Sequence, residues 1–188
     1  MSAGTLAVER STIADLAREP GKAELVDGRI IRYMATGFRP NIVAGRIFRK
    51  LAEYADTTGR GVAYTDNIGF TVDDLLSGRE SFAPDVAYYD GPLPTNLMKF
   101  VHGAPNLAVE VRSDGDYGPA AERQMAAKRA DYFEAGTAVV WDVDPVAREI
   151  RSYLASAPDR PAIFAAGVQA NAEPAVPAWV VAVDWVMS

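Results

Sequence analysis

The amino-acid sequence predicts one α/β domain, a mixed central β-sheet flanked by helices. Two long stretches carry apolar residues at helical spacing. Short β-rich runs lie between and after them. The resulting order, roughly α-β-β-α-β-β-β-α-β-β-β, describes a sheet layered between helices. A chain of 188 residues suits one core, since domains usually run to roughly 100–200 residues. Residues 1–188 therefore read as a single domain, without an internal repeat.

Ser11 or Thr12 can cap a short helix running to about Glu19, which Pro20-Gly21 stops. Asp27-Gly28 separates two apolar-rich runs, residues 22–26 and 29–34, and marks a hairpin because both turn residues tolerate positive φ. Val43, Ile47, Leu51 and Tyr54 make one apolar helical face over residues 40–57, with Pro40 in the first turn. β-rich segments follow at 62–64 and 68–72, and residues 73–80 read as a polar turn. Residues 82–89 read as a strand with Pro84 near its start, and residues 90–105 as a long connection. Asn106 to Val111 is nearly continuous apolar sequence, the pattern of a strand buried on both faces. Pro119 opens a second helix to about Ala135, with Gly136 as its cap and Ala121, Met125, Lys128 and Tyr132 on one side. Strands follow at 138–143 and 149–154. Residues 155–177, rich in Ala and Pro, suggest no element, and 179–186 reads as a last strand.

Composition narrows the chemistry. The absence of cysteine removes disulfides, thiolate zinc sites and cysteine nucleophiles, and suits a reducing cytosol, so the expected location is cytoplasmic. No apolar run approaches the roughly 18 residues of a membrane span, and the N-terminus lacks a signal-peptide pattern, so no membrane association is expected. His102, the one histidine, lies in a connection, and no Gly-x-Ser-x-Gly elbow accompanies it. Asp114, Asp116 and Glu122 lack the full ligand spacing of a calcium loop, and no phosphate-binding glycine motif is present. Trp141, Trp179 and Trp185 fall in apolar strand patterns and read as core or interface.

Three residues are out of keeping with their surroundings. Glu110 lies inside an apolar strand, Asp85 between Ala83-Pro84 and Val86-Ala87, and Lys128 on the apolar face of its helix. A carboxylate buried there costs several kcal/mol unless a cation or metal meets it. Each also has a plain structural explanation. Asp85 can begin a strand at the surface, Glu110 can point outward, and Lys128 can snorkel past Met125. Together they match metal-assisted phosphodiester hydrolysis. In that chemistry two carboxylates hold Mg²⁺, the metal activates water and polarises the phosphoryl oxygen, and a lysine stabilises developing negative charge.

The same residues carry a family resemblance. Residues 24–28 in the first hairpin, Pro84-Asp85-Val86, residues 104–111 with Ser113, and Lys128, Tyr132 and Gly136 leading to residues 141–145 resemble the Uma2 family, also called DUF820. That family consists of endonucleases within the PD-(D/E)XK superfamily, and the match spans roughly residues 11–154. The resemblance implies a restriction-endonuclease-like fold and an endonuclease acting on DNA with Mg²⁺ (or Mn²⁺). It makes Asp85 and Glu110 metal ligands, with the Val111 backbone carbonyl as a third donor. Lys128 becomes the catalytic lysine and Glu24 an extra carboxylate positioning a metal or water. It also makes a homodimer plausible. This chain departs from the pattern at Arg112, where the superfamily has its lysine, at Asn41, where the family has histidine, and at Gln124, where it has aspartate. Asn41, Gln124 and the acidic surface keep open a nuclease-fold binding or regulatory module with little catalysis, and a third reading is a structural or oligomeric protein whose carboxylates merely pair with Lys128 and Arg112.

The net charge of −6 argues, on its face, against a nucleic-acid partner. It is unevenly distributed: residues 1–60 carry 10 Lys+Arg against 7 Asp+Glu, and residues 61–188 carry 9 against 18. The basic run from Arg29 to Arg60 suits either a phosphate-facing surface or an ordinary solvated helix face.

Overall fold

Periodicity sorts the chain into short helices and strands in the computed structural model, which describes residues 10–73 and 75–188. The signal-peptide reading of the first nine residues and Asp74 of the predicted polar turn lie outside the described residues. The helices are α1 (Ile13–Leu16), α2 (Phe38–Thr58), α3 (Pro119–Glu134) and α4 (Val183–Met187). The strands are β1 (Ala23–Val26), β2 (Arg29–Arg32), β3 (Val62–Thr65), β4 (Phe70–Thr71), β5 (Ser81–Phe82), β6 (Val86–Tyr89) and β7 (Val101–His102). They continue as β8 (Leu107–Val111), β9 (Val139–Asp144), β10 (Glu149–Leu154), β11 (Ala157–Phe164), β12 (Gln169–Asn171) and β13 (Val180–Ala182).

Six strands form the main sheet in the order β11-β10-β9-β8-β6-β3. All its pairs are antiparallel except β8 with β9, whose parallel pairing requires the crossover that α3 supplies. The sheet is thus mixed, as the sequence predicts. Alternation along β8 divides its two faces. Leu107, Val109 and Val111 pack with Val43, Ile47 and Leu51 of α2 and with Trp141 and Trp179. Ala108 packs with Phe70, Phe82 and Tyr132 on the opposite face. Period-2 alternation therefore sends Glu110 towards α3, on the same face as Ala108.

Several elements differ from the sequence reading. Residues 82–89 are not one strand: Ser81–Phe82 joins a three-stranded sheet with β4 and β7, and Val86–Tyr89 joins the main sheet. Ala83-Pro84-Asp85 makes the break, where the missing proline N–H costs least. The long connection contains β7, and the strand expected at 68–72 shrinks to Phe70–Thr71. Residues 155–177 contain β11 and β12; β11 lies at the sheet edge, which is why Pro161 is tolerated within it. The closing strand ends at Ala182, because Val183, Val186 and Met187 bury at helical spacing and turn the chain into α4. α1 is one turn, closed by a capping box in which the Thr12 side chain accepts from the Asp15 N–H and Asp15 answers at Thr12. At the end of α3 the cap is Ala135, and Gly136 follows it at φ 102°.

Trp141 and Trp179 are core residues with ring centroids 5.4 Å apart. The half-buried Trp185 lies under the Arg49 guanidinium, 4.7 Å from its centroid. The basic run on α2 is largely engaged within the fold. Arg39 donates to the Met187 carbonyl at 3.0 Å, Arg46 to the carbonyls at the end of α4, and Lys50 to Glu53 at 2.6 Å. Much of that charge completes the C-terminus of α4. Ile47 is fully buried between α2 and the sheet. Truncating it to alanine is expected to destabilise the protein by about 2–5 kcal/mol, read from the urea unfolding midpoint with the slope unchanged.

Candidate active site

The break between β5 and β6 sets one corner of the site. Val86 pairs with Val109, and the Asp85 N–H donates to the Val109 carbonyl at 3.1 Å, so continuing the antiparallel register by one residue sets Asp85 opposite Glu110. Opposed residues of antiparallel strands share a face. Asp85 Oδ2 accepts the Val111 N–H at 2.7 Å, which fixes the carboxylate and leaves Oδ1 facing Lys22 Nζ at 2.5 Å.

Glu110 is held from the helix side. Its Oε1 accepts from the Tyr132 hydroxyl at 2.7 Å and from Lys128 Nζ at 2.8 Å. These donors lie one turn apart on α3, so helical spacing delivers both to one carboxylate. Lys128 also bonds Glu24 Oε1 at 2.8 Å, and its ammonium stands 5.5 Å from the Tyr33 ring centroid and 5.8 Å from that of Tyr132. Glu24 projects from β1 into the interior and is completely buried. Four donors meet its two oxygens: Lys128 and the Ala83 N–H (2.9 Å) at Oε1, Arg79 (2.5 Å) and the Tyr33 hydroxyl (2.7 Å) at Oε2. A carboxylate offers about four acceptor positions, so Glu24 is saturated. Its Oε1 is one of the two carboxylate oxygens that bond Lys128.

Arg79, itself buried, joins Glu24 to Asp131 of α3 at 2.8 Å and covers the Phe82 ring at 5.2 Å. Phe82 stacks on Tyr132 with centroids 4.1 Å apart and planes inclined by 15°. The charged groups are thus fixed by aromatic packing as well as by ion pairs. Burial opposes ionisation of Glu24, but Lys128 and then Arg79 outweigh it and bring the carboxyl down to about 2. Burial likewise opposes the Lys128 ammonium, yet Glu110 and Glu24 hold it well above its ordinary range. Glu110 shifts upward: burial dominates, Lys128 counters it, and Asp85 adds like-charge repulsion. Of the pair, Glu110 is the group short of positive charge.

The structure brings Glu24, Asp85, Glu110 and Lys128 together at one end of β8. It keeps Arg112 away from them. That guanidinium, 3% exposed, is bidentate to Asp142 (2.7 Å at both oxygens) and reaches Glu122 at 2.5 Å. Of the structural alternative, in which the carboxylates merely pair with Lys128 and Arg112, the Lys128 pairing is present and the Arg112 pairing is not. Asn41 and Gln124 are exposed positions on α2 and α3. His102 is exposed near Asp73, and Asp116 closes its own loop by accepting from the Ser113 N–H and hydroxyl. Lys22, Tyr33, Asp66, Arg79 and Asp131 were not singled out by the sequence. They sit in polar or hairpin segments, where a charge is unremarkable, and only the fold gives them partners.

Among the described residues no three carboxylate or imidazole groups converge on one cation position; the donors that a cation would meet here are the pair Asp85 and Glu110. It fits a hard divalent cation in chemistry, being oxygen ligands on adjacent strands, with a cation, the Lys22 ammonium, already facing Asp85 Oδ1.

The Uma2 family model, described as "Putative restriction endonuclease", matches residues 10–184. The chain belongs to the Uma2 family. No curated protein matches the sequence. Among solved structures, the fold is similar to that of "a putative nuclease belonging to DUF820" from Anabaena variabilis ATCC 29413. The TM-score is 0.74 at 15% identity, over 94% of this chain and 97% of that one. At that identity the likeness concerns the fold, which this Uma2 chain shares with that structure over nearly its whole length.

Glu24 supplies a pH test. Its folded pKa lies below the ordinary 4.5, so the stability it contributes is complete above that value and is lost as pH falls towards 2. Glu24→Gln is expected to cost about 3–5 kcal/mol at pH 7 by leaving buried cations uncompensated. It should also flatten the acid limb of stability against pH, measured by urea unfolding between pH 2 and 5. An acid limb identical to that of the unmodified chain would contradict this role.

Proposed function

We propose that this Uma2 protein is a metal-dependent endodeoxyribonuclease that hydrolyses phosphodiester bonds of DNA. The observation that carries the reading is one lysine ammonium shared by two carboxylates, Glu24 and Glu110, beside a third, Asp85, which lies opposite Glu110 across two strands. Nuclease-family membership supports the reaction class.

Asp85 and Glu110, with the Val111 carbonyl, would hold Mg²⁺ (or Mn²⁺). The bound cation supplies Lewis-acid polarisation of the phosphate. The chain's own groups do the rest. The Val111 N–H fixes one Asp85 oxygen, and the Tyr132 hydroxyl fixes Glu110, so both carboxylates present set directions. Lys128 places a permanent positive charge beside Glu110, where negative charge develops on the transferring phosphate. Glu24, Tyr33 and Arg79 act through Lys128 as positioning residues, holding it without taking its proton. The presence of Arg112 at the superfamily's lysine position is compatible with this scheme, because Lys128 reaches the same carboxylates from the helix.

Cleavage of DNA is expected to require a divalent cation and to be removed by EDTA. Glu110→Ala and Lys128→Ala should each lower the rate by about 10²-fold or more, the scale for losing a preorganised charge, with far-UV dichroism unchanged. The assay compares each variant with the unmodified chain on single- and double-stranded DNA and on RNA. Cleavage persisting in both variants, or independent of metal, would defeat the assignment.

A further inference from the structure

Lys22 has a position that neither the Uma2 membership nor the proposed chemistry explains. It stands immediately before β1, and its side chain is only 16% exposed. Its ammonium touches two carboxylates from different parts of the fold, Asp85 Oδ1 at 2.5 Å and Asp66 Oδ1 at 2.8 Å, and faces the Tyr33 ring at 5.9 Å. Burial works against that charge, but Asp85, Glu110 and the bond to Asp66 hold it above its ordinary range. Asp85 Oδ2 accepts the Val111 N–H, and Oδ1, which has no backbone donor, is the oxygen on which Lys22 stands. Asp66 is different: its side chain is 47% exposed and lies on the solvent side of the lysine.

An ammonium and a divalent cation at bonding distance from one carboxylate oxygen repel each other strongly, although that oxygen has a lone pair for each. We propose that Lys22 is a built-in competitor for the metal: its ammonium holds Asp85 while the site lacks a divalent cation, and is displaced onto Asp66 when one binds. The lysine keeps the Asp85–Glu110 pair compensated in the metal-free protein, at the expense of metal affinity. After displacement it remains tethered at the mouth of the site through Asp66. This inference rests on the metal-dependent reading above and adds the residue that sets the affinity of that site.

The test is calorimetric titration of Mn²⁺ into the full chain, alongside thermal melting in EDTA and in saturating Mn²⁺. Lys22→Met is expected to bind Mn²⁺ roughly tenfold or more tightly than the unmodified chain, the scale on which one charge about 4–6 Å away shifts proton binding to a carboxylate. Its melting temperature should fall below that of the unmodified chain in EDTA, and the gap should close in Mn²⁺. Lys22→Gln, which keeps a donor for Asp66 without the charge, should show the same tightening, and it carries the test if Lys22→Met fails to fold. Mn²⁺ affinity unchanged or weaker in folded Lys22 variants would overturn the displacement. No Mn²⁺ binding by the unmodified chain or by either variant would instead overturn the metal reading beneath it, so the two failures are distinguishable.

Discussion

The Lys128 ammonium, 2.8 Å from both Glu24 and Glu110, is the interaction on which this end of the molecule depends. Glu24 is completely buried and Glu110 half-buried, with 24% of its side chain exposed, and a carboxylate in such surroundings is costly to ionise without a cation beside it. One shared cation offsets the burial of both carboxylates and joins β1, β8 and α3. Arg79 extends the same compensation to Asp131, and Tyr33, Tyr132 and the Ala83 N–H supply the remaining donors. A network this complete is rigid, because each charge removed leaves another unpaired. Rigidity is also what a reacting phosphate needs from groups that must not reorganise as its charge grows.

The fold explains why so small a sheet can hold this network. β8 is covered on both faces, so Leu107, Val109 and Val111 make one core with α2 while Ala108 and Glu110 face α3. The break at Ala83-Pro84-Asp85 ends one small sheet and begins the large one, and it leaves Asp85 at the junction with its side chain partly accessible. Arg112 shows the complementary strategy. Its guanidinium is closed off by Asp142 and Glu122, and the cation beside Glu110 comes instead from α3. The basic residues of α2 are likewise largely absorbed, by the end of α4. A phosphate-facing surface built on that helix is therefore smaller than its charge count suggests.

Much of this was legible in the sequence, for a physical reason. Asp85, Glu110 and Lys128 each interrupt an apolar pattern, and a charge in such a place must have a partner. α2 and α3 showed because their apolar stripes are long. Lys22, Asp66, Arg79 and Asp131 were not legible because each lies in a polar setting; Arg79 meets Glu24 and Asp131 across 55 and 52 residues of chain. Glu24 was found, but its four donors were not legible, since they are a property of the folded arrangement. The C-terminal segment failed for another reason. An edge strand such as β11 needs little apolar sequence and tolerates proline, so composition alone does not separate it from a loop.

The central claim is that the Asp85–Glu110 pair is a divalent-cation site supported by Lys128. Anomalous diffraction from crystals of the full chain grown with Mn²⁺ tests it most directly. The expected result is a manganese peak bonded to oxygens of both Asp85 and Glu110, with Lys128 still bridging Glu24 and Glu110. A metal bound elsewhere, or no peak between these carboxylates at saturating Mn²⁺, would contradict it.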